Sequence, residues 1–143
     1  MGLALEEARL ARDAGEVPVG ALVAIEGRVI GRAHNMSIIE NDPTAHAEIL
    51  ALRRAGAAMG NYRLAGTVLY ATVEPCAMCC GAALHARVAR VVYGAADPKG
   101  GAAESLYQLL SDPRLNHRAI VTGAVRSEEC AALLREFFQG KRG

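Results

Sequence analysis

Two short motifs, His46-Ala47-Glu48 and Pro75-Cys76-Ala77-Met78-Cys79, constrain this chain more than any other feature of it. Cys76 and Cys79 are three positions apart, which on a helix places them about 60° from each other, near enough to grip one ion. Three of the four cysteines, at 76, 79, 80 and 130, crowd into one segment. In a reducing compartment such bunching fits a metal or redox role better than a structural disulfide. A bare C-x-x-C reads as redox or metal on nearly even terms, but a redox pair leaves His46 and Glu48 without a part to play. The fold must therefore bring the starts of two separate segments together.

The hydrophobic pattern provides for this. Residues 3–14 set Leu3, Leu10, Ala11 and Ala14 against Glu6, Glu7, Arg9 and Arg12 at helical spacing, with Gly15 as the stop. Val19–Ile25 and Val29–His34 flank Glu26-Gly27 as an antiparallel hairpin. After the polar stretch Asn35–Asp42, Pro43 or Thr44 opens a helix to about Met59, capped by Asp42 or Thr44. Val68–Val73 runs into Glu74-Pro75, and Cys76–Arg87 has helical character before the strand Val91–Tyr93, a βαβ unit with a parallel strand pair. A short helix at Ser105–Leu110, a fifth strand at Ala119–Val121 and a final helix follow. That helix is capped by Ser127 and expected to bury Leu133, Leu134, Phe137 and Phe138. The order αββαβαβ(α)βα is that of a three-layer α/β/α sandwich. At 143 residues, without repeats or a linker, the chain reads as a single domain, 1–143.

In this arrangement both motifs start helices, and His46 joins Cys76 and Cys79 as a third zinc ligand. Three protein ligands leave the fourth tetrahedral position to water, the pattern of a catalytic zinc. Glu48 lies about 200° round an ideal helix from His46, so the two share a site only at the helix end. Helix N-termini favour thiolates and a bound hydroxide. Zinc lowers the pKa of its water to about 7, giving a hydroxide nucleophile, with Glu48 as the proton shuttle. H-x-E followed by P-C-x-x-C, with a Glu that is not a ligand, is the known signature of zinc nucleobase deaminases, and the chain matches it at every position. Cys80, Cys130, His34, His85 and His117 have no ligand-like spacing and read as core, loop or capping residues.

Charge narrows the partners little. Sixteen Lys and Arg against fifteen Asp and Glu leave a net +1, so any nucleic-acid contact must come from a local patch. No long apolar run or signal-like start is present, and the protein is expected to be cytoplasmic.

Across nearly its whole length the chain resembles the bacterial tRNA adenosine deaminase family. The segments that carry the resemblance are EVPVGA at 16–21, Asn35, NDPTAHAEI at 41–49, NYRL at 61–64, LYATVEPCAMCCGA at 69–82, Asn116-His117-Arg118 and the closing Phe137-Phe138. The resemblance implies a cytidine deaminase-like fold with a mixed five-stranded sheet, a homodimer, one Zn²⁺ per subunit, and conversion of adenosine to inosine at the wobble position of a tRNA anticodon. By the same resemblance His46, Cys76 and Cys79 hold zinc, Glu48 moves protons, Asn35 hydrogen-bonds the flipped base, and Asp97 lines the RNA groove. Each of the last two has a plainer alternative: Asn35 as a strand-ending polar residue, Asp97 as a turn former before Pro98. Lys99, Arg114, His117, Arg118, Lys141 and Arg142 are the basic candidates for the anticodon stem-loop, and a basic tail that stops at Gly143 would weaken that contact. Two rivals stand beside this reading. Guanine and cytosine deaminases share the zinc triad, and a silent zinc-containing RNA-binding subunit would leave Glu48 without a purpose.

Overall fold

Small residues decide how closely the helices meet the sheet. The computed structural model describes residues 1–142; Gly143 and the side chain of Arg142, one of the basic candidates, lie outside the described residues. Helix α1 (Gly2–Asp13) buries Ala4, Leu5, Glu7, Ala8 and Ala11 along one stripe. It ends as its sequence predicts: Gly15, at φ 82°, lets Glu16 N–H reach Ala11 O at 2.9 Å and satisfy an end carbonyl. Strands β1 (Gly20–Ile25) and β2 (Arg28–His34) are joined by Glu26 and Gly27, both at positive φ, as a tight right-twisted hairpin demands.

Helix α2 (Ala47–Met59), β3 (Val68–Val73), α3 (Ala77–His85), β4 (Arg90–Ala95), β5 (Ile120–Thr122) and α4 (Ser127–Arg142) complete the chain, with one 3-10 turn at Leu109–Ser111. The sheet order is β2-β1-β3-β4-β5. β1 is antiparallel to both its neighbours, and β3, β4 and β5 are parallel.

The glycines within the two strands of the hairpin, Gly20 and Gly31, reveal the layering. A Cβ on Gly20 would run into Ala4 O and sit 2.6 Å from Ala8 N, so α1 lies directly on β1. A Cβ on Gly31 would sit 2.5 Å from Ala51 O and 2.7 Å from Ala55 N, so α2 lies directly on β2. Gly31 pairs with Val23, three residues from Gly20, so the glycines face opposite sides of the pleat. α1 and α4 therefore cover one face and α2 with α3 the other, the expected three-layer α/β/α sandwich with a mixed five-stranded sheet. The alanine-rich composition follows from this contact: fully buried Ala4 and Ala8 face one glycine, Ala51 and Ala55 the other.

Several local expectations change. The helix expected at Ser105–Leu110 does not form: Leu109 N–H bonds Ala102 O at 3.0 Å and not a carbonyl one turn back, Leu106 N–H bonds Gly101 O, and Ser105 N–H is held by the Glu74 carboxylate. The fifth strand is shifted one residue, since Ala119 N–H bonds Leu110 O and pairing with β4 starts at Ile120. Ser127 is the first helical residue of α4 and not its cap: Cys130 N–H bonds Arg126 O. Of the side chains expected to be buried on α4 only Leu133 is, with Cys130 beside it; Leu134 and Phe137 are half-buried and Phe138 is 47% exposed at the solvent edge.

Candidate active site

The turn after β3 and the start of α2 meet at one point. His46 is the N-cap of α2 and Cys76 the N-cap of α3, both in extended backbone conformation, with Cys79 in the first turn of α3. The expected start of α2 at Pro43 or Thr44, with Asp42 or Thr44 as cap, is therefore wrong by about one turn. The Asp42 carboxylate accepts the Thr44 N–H and hydroxyl in a local turn, at 2.8 and 2.7 Å. Asn35 Oδ1 accepts the Ala47 N–H at 2.9 Å, and this long-range bond starts the helix four residues later than Pro43 suggests. That shift is what puts His46 at the helix end and Glu48 in its first turn, where both can reach one site.

His46 Nδ1 is 3.6 Å from Cys76 Sγ and 3.6 Å from Cys79 Sγ, and the three donor atoms lie within 4.8 Å of one another. A tetrahedral zinc with ordinary Zn–S and Zn–N bonds separates nitrogen from sulfur by about 3.6 Å, so the donor set fits that ion in type and in spacing. The charges fit as well. The hydrogen bond from Cys79, together with that from His46, pushes the Cys76 thiol down to about 3. The bond to Cys76, and then burial, push the Cys79 thiol up. The two sulfurs compete for one proton, and a divalent cation held between them would let both ionise. His46 is raised by its bond to Cys76 against the effect of burial.

Glu48 is 4% exposed, and burial holds its carboxyl above the usual carboxylate range, opposed by a backbone hydrogen bond and by His46. A buried carboxyl group beside a metal-type donor set, raised by that burial, is equipped to take up and release a proton.

Other predicted residues are placed less uniformly. Asn35 joins the His46–Glu48 segment through Ala47. Asp97 stands beside the Cys76 turn, where its N–H bonds Glu74 Oε1 at 3.0 Å, but its own Oδ1 accepts Lys99 and Gly100 N–H, so the turn-forming description fits its side chain. Among the basic candidates, Arg114 is held by both Asp112 oxygens, Arg118 by Pro113 O and His117 by Val88 O. Lys99 is exposed, and the Lys141 ammonium lies 5.3 Å from the centre of the Phe137 ring.

Three buried carboxylates escaped the sequence reading; one is Glu7, expected on the polar face of α1 but 6% exposed and bonded to Arg32 and His34 at 3.0 Å each. Glu16, 1% exposed, accepts the N–H groups of Ile38 and Ile39 at 3.1 and 2.8 Å and pins the loop that leads to His46. Glu74, 3% exposed, binds the segment after β4; burial would raise its carboxyl, but Ser105 and backbone N–H groups hold it below the ordinary range. A charged residue inside each of two otherwise apolar segments, EVPVGA and ATVEPC, was the available signal.

The sequence model of the MafB19-like deaminase family matches residues 1–142. The tRNA-specific adenosine deaminase of Bacillus subtilis is 48% identical over 139 residues, covering 97% of this chain and 86% of that protein. The tRNA-specific adenosine deaminase of Agrobacterium fabrum is 49% identical over 142 residues, covering 99% and 93%. A structure from work on A-to-I editing by tRNA:A34 deaminases at the wobble position superposes with a TM-score of 0.90 at 48% identity, over 94% of this chain and 97% of that one. Guanine deaminase from Nitrosomonas europaea gives a TM-score of 0.78 at 28% identity, over 95% and 81%.

Proposed function

From the premise that the chain belongs to the tRNA-specific adenosine deaminase family, we propose that it converts the wobble adenosine of a tRNA anticodon to inosine at the His46–Cys76–Cys79 site. The observation that carries the reading is the preformed donor cluster with the buried Glu48 beside it. His46 Nδ1 and the two sulfurs would hold one zinc ion per subunit, and when bound the ion supplies an acidified water at neutral pH. Glu48 takes one proton of the attacking water and passes it to N1 of the adenine as the oxygen adds at C6, then takes the hydroxyl proton of that adduct and delivers it to the departing amine as the C6 carbonyl forms. Adenosine and water become inosine and ammonia. Asn35 has spent its Oδ1 on Ala47, so its Nδ2 is the group it offers to an acceptor on the base. Asp97 shapes the loop on the neighbouring wall of the groove.

An anticodon loop suits such a site, because its bases are already single-stranded and extruding one costs only a few kcal/mol. The same reading takes the chain as one domain that pairs with a second copy and works in the cytoplasm; among the described residues no helix is long and apolar enough to cross a membrane.

The likeness to guanine deaminase keeps a free-base reading in view. Purified protein offered an anticodon stem-loop RNA, free guanine and cytidine in parallel decides between them. Inosine in the RNA alone is expected. Deamination of a free base alone would replace the tRNA reading and leave the site chemistry intact.

A further inference from the structure

The Glu74 carboxylate is surrounded by donors from a single loop. Its Oε2 accepts the consecutive N–H groups of Ala103, Glu104 and Ser105 at 3.2, 2.8 and 2.8 Å. Its Oε1 accepts the Asp97 N–H at 3.0 Å and the Ser105 hydroxyl. Successive backbone N–H groups curled round an anion form a concavity that ordinarily receives phosphate or another ligand; here the chain's own carboxylate fills it. The fit is close, since a Cβ on Gly101 would run into the Glu74 carboxyl group.

The same loop is tied to the ligand turn from below. Glu74 N–H bonds Ala95 O at 2.8 Å, and Ala102 N–H bonds Pro75 O at 2.9 Å, one residue before Cys76. The loop leaves the carboxyl end of β4, next to the carboxyl end of β3 from which the ligand turn departs, the end of a parallel pair where substrates are received. A neutral residue could pack in this space, but only an acceptor with two oxygens satisfies five donors at once.

We propose that Glu74 is a positioning residue for the reaction: it locks the loop 97–105 to the Pro75-Cys76 turn and so registers the substrate-binding wall against the site that performs the chemistry. The substrate half of this inference rests on the RNA deaminase reading. Glu74 touches no reacting atom. Its loss is felt first in how the RNA is held, and only second in the turnover of RNA already bound.

The test substitutes Glu74→Gln, which keeps the shape but turns one acceptor into a donor facing N–H groups. Gly101→Ala pushes the carboxylate away by another route, and Ser105→Ala removes one bond only. For each variant zinc content, kcat and KM on an anticodon stem-loop RNA, and amide hydrogen exchange of segment 97–105 are measured. Outer residues that orient a site commonly cost about 10- to 100-fold when changed. Glu74→Gln and Gly101→Ala should therefore raise KM about tenfold or more with a smaller change in kcat, full zinc content, and faster exchange confined to 97–105. Ser105→Ala, which is expected to fold normally, should move KM in the same direction by about two- to threefold. An unchanged KM in Ser105→Ala and Gly101→Ala, or a fall in zinc content and kcat at constant KM, overturns the proposal. If wild-type protein leaves the RNA untouched, the deaminase reading fails on its own, and the exchange measurement still decides whether Glu74 locks the loop.

Discussion

Replacing Gly31 with alanine should damage both stability and activity, whereas the same change at Gly20 should damage stability alone. The added Cβ at Gly31 meets Ala51 O at 2.5 Å and Ala55 N at 2.7 Å, both backbone atoms of α2 that cannot rotate away. Contact is roughly 1 Å too close, so α2 must move off the sheet as a body. Overpacking of this kind costs about 1–3 kcal/mol, and two backbone clashes place this site near the upper end, roughly 2–3 kcal/mol. For a chain of this size that lowers Tm by roughly 6–12 °C. Helix α2 begins with His46 as its cap and carries Glu48 in its first turn, so the displacement is passed directly to the site. Misplacing reacting groups by about 1 Å can cost on the order of 100-fold, and kcat/KM should fall about 10- to 100-fold. At Gly20 the clash is with Ala4 O and Ala8 N of α1, which carries no site residue. The assay pairs thermal melts in excess zinc with turnover measured well below both melting points. A Gly31→Ala protein that melts within about 2 °C of wild type would refute the packing argument. Equal losses of activity in both variants would refute the link from α2 to the site.

Further outcomes follow from the site itself. Glu48→Gln should retain zinc, since Glu48 supplies no ligand atom, yet lose about 10²- to 10⁴-fold or more in kcat; metal content and single-turnover rate check this, and near-normal turnover would remove Glu48 from proton transfer. Metal withdrawal by a chelator should lower Tm by roughly 10 °C, the equivalent of about 4 kcal/mol for a ligand present at a thousand times its Kd, and readdition of zinc should restore it. Glu16→Ala should cost about 1–3 kcal/mol in denaturant unfolding, because it removes the two charge-assisted bonds by which the buried carboxylate holds the exposed loop at Ile38 and Ile39; a cost below about 0.5 kcal/mol would show that the loop does not depend on them.

How much was legible beforehand differs from element to element. The hairpin turn at Glu26-Gly27 and the end of α1 at Gly15 were visible because their signals are local: each needs a positive φ that glycine supplies without strain. The failures at 43–46 and 105–110 share one cause. In both, acceptors outside the segment took backbone donors that a local reading assigned to the helix ladder: the Asn35 side chain took Ala47 N–H, and Ala102 O took Leu109 N–H.

The donor set His46, Cys76 and Cys79 and the nearby Glu48 were present in the sequence as residue types at telling intervals, because metal chemistry demands particular atoms and a short motif can carry them. Tertiary structure decided what intervals cannot express. It put His46 at a helix end and not inside the helix, brought nitrogen and sulfur to 3.6 Å, and buried Glu48 deeply enough to raise its carboxyl. Those outcomes depend on how near α2 comes to the sheet and on which distant groups claim each backbone donor. Both are sums over contacts between segments far apart in the chain, and no single stretch of sequence contains them.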